Sequence, residues 1–469
     1  MSLWTSDQAV EATGGVTGSD WAATGVSIDT RTLAPGDLFV ALKDVRDGHD
    51  FVAAAFEAGA SAALVSNVPD GVDASWCLVV DDVLRALARL GAAGRARTAA
   101  KVIGITGSVG KTTAKEMLRK ALEGQGNIHA AVASYNNHWG VPLTLARMPT
   151  DTDFAIIEMG MNHAGEIAPL TRLARPNVAM ITTIAPAHLE NLGSMEAIAL
   201  EKATIFEGLE PEGVAVVPMD VETRDILLEG AKAHAAEVVT FGESEAADLQ
   251  LSQVIVSDDA TIMRLATEEG ARLAKLSVAG QHYAMNAVGV LLTIAAAGAD
   301  MTQAAMALSQ WQPVEGRGQR ERIPLSATDD IAIELIDDAF NANPVSLAAG
   351  LAVLASVVPE RGARRVAVLG DMLELGPEAE AMHAEIADLS AIEQVDVVHT
   401  SGPLMAHLHA ALPGAKRGLQ TENAQDMCRQ IAAQLRPGDV VLVKGSKGSR
   451  VSTVVDALRK LGQSVGAKV

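Results

Sequence analysis

The feature that most constrains this chain is a glycine-rich turn between an apolar run and an amphipathic stretch. The run from Val102 to Ile105 predicts a buried strand. The stretch from Thr112 to Glu123 has apolar residues at helical spacing and predicts a helix. The turn therefore joins a strand to a helix, which is the setting in which a glycine-rich turn binds phosphate.

The residues of this turn suit the phosphates of a nucleotide. Its backbone N–H groups and the positive end of the helix can surround phosphate oxygens. Lys111 can reach the outer phosphates, and the Thr112 hydroxyl can hold Mg²⁺. The general pattern has a glycine five residues before Gly110, where this chain has Ile105, so the turn is a shorter form. A chance loop is the alternative, but the strand and helix around the turn favour an ATP or GTP site.

Length and composition limit the classes of protein that fit. A chain of 469 residues exceeds one ordinary core and suggests about three domains. The 37 basic and 58 acidic side chains give a net charge of −21, which argues against nucleic acid or an anionic membrane as partner. Cys77 and Cys428 offer neither a disulfide framework nor a metal cluster. Without a signal peptide or an apolar run of about 18 residues, we expect a soluble cytoplasmic protein with no membrane insertion. We also expect a monomer.

The order of strand and helix patterns divides the chain into three α/β units. Residues 1–98 predict a small N-terminal α/β domain, with Arg95 to Thr98 as a linker. Residues 99–311 alternate strands and helices, which predicts a mostly parallel sheet with ligands at the carboxyl ends of its strands. Residues 312–469 predict a second, Rossmann-like α/β unit.

Polar residues follow the predicted strands of the central unit. Glu158 ends an apolar strand, where a carboxylate beside the phosphate loop can ligate the magnesium of a nucleotide. A solvated strand end is the alternative for Glu158. Lys202 lies on a predicted helix over 195–209, where a lysine is more often a snorkelling surface residue. His282 and Asn286, four residues apart, share one face of a later helix.

The third unit begins with a turn-rich joint and a strand that ends in polar residues. Arg317 in the joint could clamp a phosphate or be an exposed linker charge. Asn341 and Asn343 follow the first strand and could bind a dipeptide through their carboxamides. Asparagines before a proline are also ordinary turn formers.

Taken together, these stretches resemble the Mur ligases, the ATP-dependent amide-forming enzymes of peptidoglycan precursor synthesis. The likeness covers all three units. The run Asn341-Ala342-Asn343-Pro344 and the Gly-Asp-Met-Leu-Glu-Leu-Gly run at 370–376 are similar to the member that adds D-alanyl-D-alanine to a UDP-N-acetylmuramoyl-tripeptide. The resemblance implies phosphoryl transfer from ATP to the tripeptide carboxylate, followed by attack of the dipeptide amine on the acyl phosphate.

The resemblance also implies a role for individual residues. For the phosphates of ATP and their surroundings it implies Gly107, Ser108, Gly110, Lys111, Thr112, Thr113 and Asn137. For the adenine, phosphates and ribose it implies His282, Asn286, Arg317 and Asp338. For Mg²⁺ it implies Thr112, Glu158, His188 and a carbamylated Lys202. The catalytic set that it implies is Lys111, Glu158, His188 and Lys202. For the UDP-sugar substrate it implies Ser27, Asp29, Thr30, Arg31, Gly48 and His49, and for the dipeptide it implies Asn341 and Asn343.

Two other functions fit parts of the pattern. A folylpolyglutamate synthetase-like ligase has similar phosphate and magnesium motifs, but that family starts directly with its ATPase domain. A nucleotide-driven switch or ATPase without ligation is the alternative from another class. Neither the Asn-Lys-x-Asp guanine signature nor the Leu-Ser-Gly-Gly-Gln transporter signature occurs in the chain. One departure from the Mur pattern is Asp44, where the family usually has a glycine in the loop before Asp47-Gly48-His49.

Overall fold

The fold, a computed structural model that describes residues 2–268, 270–326 and 331–466, contains three main β-sheets. They have four, nine and six strands, and each of the three ranges predicted as domains contains one of them. Helices lie between most of the successive parallel strands. The α/β class predicted from the sequence is therefore confirmed. Within the described residues, no helix is long and apolar enough to cross a bilayer.

The N-terminal unit is a four-stranded parallel sheet with flanking helices. Its elements are β1 (Trp4–Thr5), α1 (Ser6–Thr13), β2 (Ala22–Ala23), β3 (Gly25–Ser27), β4 (Asp37–Val40), α2 (Val52–Glu57), β5 (Ala62–Val65), β6 (Cys77–Val79) and α3 (Val83–Ala96). The sheet order is β3-β4-β5-β6, while β1 and β2 form a separate antiparallel pair. A capping box between Thr5 and Gln8 starts α1, and Gly14 in the left-handed region ends it.

Helix α3 carries the chain into the central unit, so the predicted linker over 95–98 is partly wrong. Arg95 lies in the last turn of α3 and is buried. Its guanidinium donates to the carbonyls of Ala174 and Arg175, at 2.9 and 3.0 Å. These carbonyls satisfy the charged side chain, so a stretch that looks solvated in sequence packs inside the molecule.

One hydrophobic cluster contains residues of both the N-terminal and the central unit. Leu143 and Ala146 of the central unit are buried in the same cluster as Trp4. The Trp4 indole donates to the Ala146 carbonyl at 2.8 Å. Helices from the two units also pack closely, because a Cβ on Gly94 would lie 2.3 Å from the carbonyl oxygen of Leu145.

The central unit is built on the nine-stranded sheet. Its strands are β7 (Lys101–Thr106), β8 (Ile128–Ala130), β9 (Phe154–Glu158), β10 (Val178–Ile181), β11 (Val214–Pro218), β12 (Glu237–Gly242), β13 (Leu249–Val256), β14 (Thr261–Thr267) and β15 (Gly270–Leu276). Its helices are α4 (Lys111–Ala121), α5 (Gly140–Ala146), α6 (Ile167–Ala174), α7 (Leu189–Leu192), α8 (Met195–Ala203), α9 (Arg224–His234), α10 (Gln281–Ala296) and α11 (Met301–Leu308). The order is β15-β14-β13-β12-β11-β10-β7-β9-β8, parallel from β8 to β13 and antiparallel at β14 and β15. The predicted helix over 195–209 ends at Ala203, and a 3₁₀ turn follows it.

The C-terminal unit is built on the six-stranded sheet. Its strands are β16 (Gln319–Pro324), β17 (Ala332–Asp338), β18 (Arg365–Gly370), β19 (Val397–Ser401), β20 (Arg417–Thr421) and β21 (Val440–Lys444). Its helices are α12 (Pro344–Ser356), α13 (Ala379–Ala384), α14 (Ser390–Gln394), α15 (Met405–Ala411), α16 (Ala424–Gln430) and α17 (Ser452–Gly466). The order is β16-β17-β21-β18-β19-β20, and β16 alone runs antiparallel to its neighbour. The carboxyl ends of β17 and β21 face the central unit, where they line a shared cavity with the glycine-rich turn before α4.

Candidate active site

The glycine-rich turn, here called the P-loop (residues 107–112), joins β7 to α4 as predicted. Gly107 has a φ of 151°, and a Cβ there would lie 1.9 Å from the Thr182 hydroxyl oxygen. Gly110 has a φ of 85°, and a Cβ there would lie 2.5 Å from the Asn286 side-chain oxygen. Both positions therefore require glycine, for backbone conformation and for space.

The P-loop contains a cation and a hydroxyl that a bound ligand could contact. The Lys111 ammonium folds back onto the Gly107 carbonyl at 2.6 Å, and burial lowers the pKa of Lys111. The Ser108 hydroxyl is buried and has no hydrogen-bond partner. An unsatisfied buried polar group costs about 1–3 kcal/mol. A phosphate oxygen bound in the loop would satisfy such groups.

Glu158 lies at the end of β9, directly beside the P-loop. Its side chain is buried, with 2% of the residue exposed. The carboxylate accepts hydrogen bonds from the Thr112 hydroxyl, at 3.0 and 3.2 Å to its two oxygens, and from the Asn136 amide at 2.8 Å. The interpretation of Glu158 as a solvated strand end is therefore wrong.

The polar partner of Glu158 is Asn136, whereas the resemblance implied the neighbouring Asn137 as a polar partner near the phosphate loop. The side-chain oxygen of Asn137 accepts from the Gly140 backbone at 2.9 Å, at the start of α5. Both asparagines line the same cavity. The order of two adjacent asparagines carries no signal of which amide turns toward the carboxylate.

Arg317 reaches the P-loop from the joint before β16. Its guanidinium donates to the Thr112 hydroxyl at 3.0 Å and lies 4.1 Å from the centre of the Phe340 ring. Burial lowers the pKa of Arg317, while Glu158 and Asp338 act in the opposite direction. Arg317 is thus a partly buried cation beside the P-loop and not an exposed linker charge.

Asp338 at the end of β17 is paired with a lysine that the sequence analysis missed. The Lys444 ammonium donates to the Asp338 carboxylate at 2.7 Å and to the Asn341 carbonyl at 3.1 Å. Burial raises the pKa of Asp338, and Lys444 opposes that shift. Lys444 ends the apolar strand β21, so the strand-end rule applied to Glu158 would have identified it.

His282 and Asn286 lie on the first turns of α10 and line the same cavity. The His282 ring packs against the Tyr283 ring, with 3.9 Å between centroids. Burial lowers the pKa of His282 to about 4, and the Lys444 charge acts in the same direction. His282 is therefore neutral at neutral pH and offers an uncharged aromatic surface.

Lys202 on α8 is buried, with 1% of the residue exposed, so the snorkelling interpretation is wrong. Burial places the pKa of Lys202 well below its usual value, and the nearby Lys111 cation lowers it further. The Glu201 carboxylate is tied to the backbone N–H groups of Gly165 and Ile167, at 2.8 and 2.9 Å. Lys202 is thus a buried amine near Lys111.

His188 contacts the C-terminal unit directly. Its Nδ1 lies 2.5 Å from the Glu374 carboxylate. Burial lowers the pKa of His188, while Glu374 raises it. His188 and Glu374 both have a positive φ, of 61° and 63°.

Most of these residues line one cavity of about 540 Å³ between the central and C-terminal units, whereas Gly107, Lys202 and Glu374 are not part of its lining. Predicted site residues in its lining are Ser108, Gly110, Lys111, Thr112, Thr113, Asn137, Glu158, His188, His282, Asn286, Arg317, Asp338, Asn341 and Asn343. No cluster of three or more His, Cys, Asp or Glu side chains suited to a metal occurs in the part of the chain that the structure describes. Mg²⁺ uses one or two carboxylates together with phosphates and water, so Thr112 and Glu158 fit it.

The two asparagines after β17 have different environments. The Asn343 side-chain oxygen caps α12 by accepting from the Ser346 backbone at 2.9 Å. This oxygen therefore has a structural role as a helix cap. Asn341 is exposed, and both residues line the cavity.

A second cavity, of about 400 Å³, lies beside the N-terminal sheet. Asp29, Thr30, Arg31 and Gly48 line it, together with the loop at 43–46. His138 and Trp139 of the central unit also line it. The Asp29 carboxylate pairs with Arg31 at 2.5 Å, and the hydrogen bonds from Arg31 lower the pKa of Asp29 to about 2.

Ser27 and His49 have supporting positions instead of lining this cavity. The buried Ser27 hydroxyl donates to the Asp29 carbonyl at 3.1 Å. The His49 ring joins the Asp47 carboxylate, at 2.7 Å, to the Ser66 backbone, at 3.0 Å. Both side chains turn into the loop because its polar groups need partners, so they shape the residues that do line the cavity.

Fold and site together define a P-loop nucleotide-binding protein whose site is completed by a second α/β unit. Residues 105–294 match the Mur ligase middle domain, and residues 322–447 match the Mur ligase, glutamate ligase domain. The chain belongs to the Mur ligase family, and the resemblance seen in the sequence is confirmed.

Similar proteins extend this match over more than nine-tenths of the chain. A UDP-N-acetylmuramoyl-tripeptide--D-alanyl-D-alanine ligase of Bacillus subtilis is 36% identical, over 92% of this chain and 93% of the relative. The ligase of the same name from Escherichia coli is 34% identical, over 96% of both chains. The crystal structure of MurF from Acinetobacter baumannii has a TM-score of 0.83 at 29% identity, and covers 97% of this chain and 99% of that one.

Proposed function

We propose that this protein is an ATP-dependent ligase that joins D-alanyl-D-alanine to the terminal carboxylate of a UDP-N-acetylmuramoyl-tripeptide in cytoplasmic peptidoglycan precursor synthesis. The observation that carries the proposal is that one cavity is lined by the P-loop and by Asn341 and Asn343 of the C-terminal unit. An amine can attack an activated carbonyl only from about 3 Å. The phosphate-binding site and the surface that binds the acceptor must therefore lie in the same cavity. The names of similar ligases identify the acceptor.

The chemistry takes place in two steps. A carboxylate oxygen of the tripeptide bonds to the γ-phosphorus of ATP, and ADP leaves. The dipeptide amine then bonds to the acyl carbon, the phosphate leaves, and the amine loses a proton. Lys111 and Arg317 offset the negative charge that spreads over the transferring phosphoryl group. Mg²⁺ held by Thr112 and Glu158 would add to this neutralisation.

The UDP-sugar end of the substrate belongs in the cavity beside the N-terminal sheet. Arg31 and Arg46 supply cations at that cavity, and Trp139 supplies an aromatic surface. The loop that contains Asp44 also lines this cavity. An isolated antiparallel β-bridge between Lys43 and Asp47 closes the loop. Phosphates of a nucleotide sugar are bound by such cations, and rings stack on such aromatics.

Lys202 is proposed to carry a carbamate in the active enzyme. Burial favours the neutral amine, whose nitrogen can bond to carbon dioxide with loss of one proton. The product is an anion close to Lys111, where it can help hold a second metal ion. Activity should fall in bicarbonate-free buffer and return when bicarbonate is added. A fully active Lys202→Ala variant would contradict the carbamate.

The acceptor is tested by measuring ADP release with defined substrates. D-alanyl-D-alanine with UDP-N-acetylmuramoyl-tripeptide and ATP should support release, and L-glutamate with a folate should not. The reverse result would establish the folylpolyglutamate synthetase alternative. ADP release at full rate without any acceptor would establish a nucleotide switch or a simple ATPase.

Asn341→Ala and Asn343→Ala should raise the KM for the dipeptide more than that for ATP. Asn423→Ala is the matched control, because Asn423 caps α16 as Asn343 caps α12. Both cap losses cost about 1 kcal/mol of stability. A dipeptide KM that rises equally in Asn343→Ala and Asn423→Ala would show that Asn343 acts only as a cap.

A further inference from the structure

The central and C-terminal units meet where two strained residues contact each other. In the described part of the chain, four non-glycine residues have a positive φ, and two of them are His188 and Glu374. The Glu374 carboxylate binds Nδ1 of His188, and the Glu374 carbonyl accepts from the Glu190 backbone at 3.2 Å. Each strained backbone costs about 1–3 kcal/mol, and such strain persists only where surrounding contacts enforce it.

Glu374 is anchored to the loop that holds the two asparagines. The backbone N–H of Leu373, one residue before it, donates to the Ser446 hydroxyl at 2.9 Å. That hydroxyl donates in turn to the Ala342 carbonyl at 3.0 Å. Ala342 lies between Asn341 and Asn343, so hydrogen bonds and one peptide link connect the proposed dipeptide loop to His188.

We propose that Glu374 is a positioning residue of the C-terminal unit, which fixes the His188 ring for binding a divalent cation when the two units dock. The inference rests on the proposed function. When Nδ1 carries the proton and donates it to the carboxylate, Nε2 of the neutral ring is unprotonated. An unprotonated ring nitrogen has the lone pair that a metal ion binds. His188 lines the cavity that Glu158 and Thr112 line. Docking of the acceptor unit thereby completes the metal site.

A carboxylate behind a metal-binding histidine acts through the ring. It holds the tautomer and the ring orientation and makes the free nitrogen more basic. Removing such a partner typically lowers metal affinity about 10- to 100-fold. Here the carboxylate and the histidine belong to different units, so this gain is available only in the docked arrangement.

The first experiment reads the His188 tautomer in protein without metal or nucleotide. Long-range ¹H–¹⁵N spectra of ¹⁵N-histidine-labelled protein should show His188 with its proton on Nδ1. Glu374→Ala should shift His188 toward the Nε2–H tautomer, whereas Glu374→Gln, which keeps an acceptor oxygen, should restore part of the Nδ1–H form. Glu378→Ala is the matched control, since Glu378 is exposed and lies four residues further on. An unchanged His188 spectrum in Glu374→Ala would overturn the proposal.

The second experiment measures Mn²⁺ binding by electron paramagnetic resonance in the presence of a non-hydrolysable ATP analogue. Glu374→Ala should weaken Mn²⁺ binding about 10- to 100-fold, and Glu378→Ala should match the wild type. Equal affinity in both variants would overturn the proposal. Thermal unfolding of both variants shows whether a loss is due to misfolding, and Glu374→Gln then supplies the well-folded comparison.

Neither measurement requires the acceptor, so failure of the inference and failure of the proposed function are distinguishable. A wild type that consumes D-alanyl-D-alanine, combined with unaltered Mn²⁺ binding in Glu374→Ala, rejects the role of Glu374 alone. A wild type that ignores D-alanyl-D-alanine, combined with weakened Mn²⁺ binding in Glu374→Ala, rejects the acceptor assignment alone.

Discussion

Gly107→Ala would place a methyl group where the P-loop has no space. The new Cβ would lie 1.9 Å from the Thr182 hydroxyl oxygen, and that hydroxyl donates to the Val109 carbonyl at 2.5 Å. Moving Thr182 away would cost that hydrogen bond, about 1 kcal/mol, and crowding would cost about 1–3 kcal/mol. The φ of 151° adds backbone strain of about 1–3 kcal/mol for any residue with a side chain.

Gly270→Ala is the control that isolates the backbone strain. Gly270 lies in the same unit with a φ of 129°, and its Cβ would meet nothing within 4 Å. The free energy of unfolding in urea should therefore fall by about 2–4 kcal/mol more in Gly107→Ala than in Gly270→Ala. The affinity for ATP, measured by calorimetry, should fall at least about 10-fold in Gly107→Ala only.

A double variant tests the cause of the extra loss. Thr182→Ala removes the hydroxyl that the new methyl group would meet, so it should restore part of the stability of Gly107→Ala. The two substitutions should then be less damaging together than the sum of their separate effects. Equal losses in Gly107→Ala and Gly270→Ala, or strictly additive losses in the double variant, would refute the steric argument.

Three further predictions concern the site and the stability of the fold. Lys111→Ala and Glu158→Ala should each lower the rate of ADP release by about 10²-fold or more, while the circular dichroism spectrum stays unchanged. A near-normal rate in either variant would contradict the assignment of the active site. Arg317→Lys should raise the KM for ATP about 10-fold, since an ammonium cannot both stack on Phe340 and reach Thr112. Burial lowers the pKa of His399 to about 4 in the folded state, against about 6.5 in the unfolded state. The free energy of unfolding, measured in urea, should therefore be about 2 kcal/mol lower at pH 5 than at pH 7. His399→Gln should lose less stability between these two pH values.

The phosphate loop and its carboxylate could be predicted because chain order determines them. A strand, a glycine-rich turn and a helix give the position of Lys111 and Thr112. The rule that ligands gather at the carboxyl ends of parallel strands places Glu158 beside them. Both inferences depend on the backbone path, which the pattern of apolar residues specifies well.

Residues whose role depends on side-chain direction could not be predicted from chain order. Asn136 and Asn137 differ only in which amide turns toward Glu158. Lys202 looks like a surface lysine until the packing of α8 is known, and Arg95 looks like part of a solvated linker until the carbonyls it meets are known. In each case the decisive partner is distant in sequence or depends on a rotamer.

The hydrophobic cluster shared by the N-terminal and central units determines how the chain should unfold. Trp4, Leu143 and Ala146 are buried in one cluster, so removing residues 1–98 would uncover apolar surface on the part left behind. The two large clusters of the C-terminal sheet contain only residues beyond 322. Residues 2–311 should therefore unfold as one cooperative block and the C-terminal unit as another.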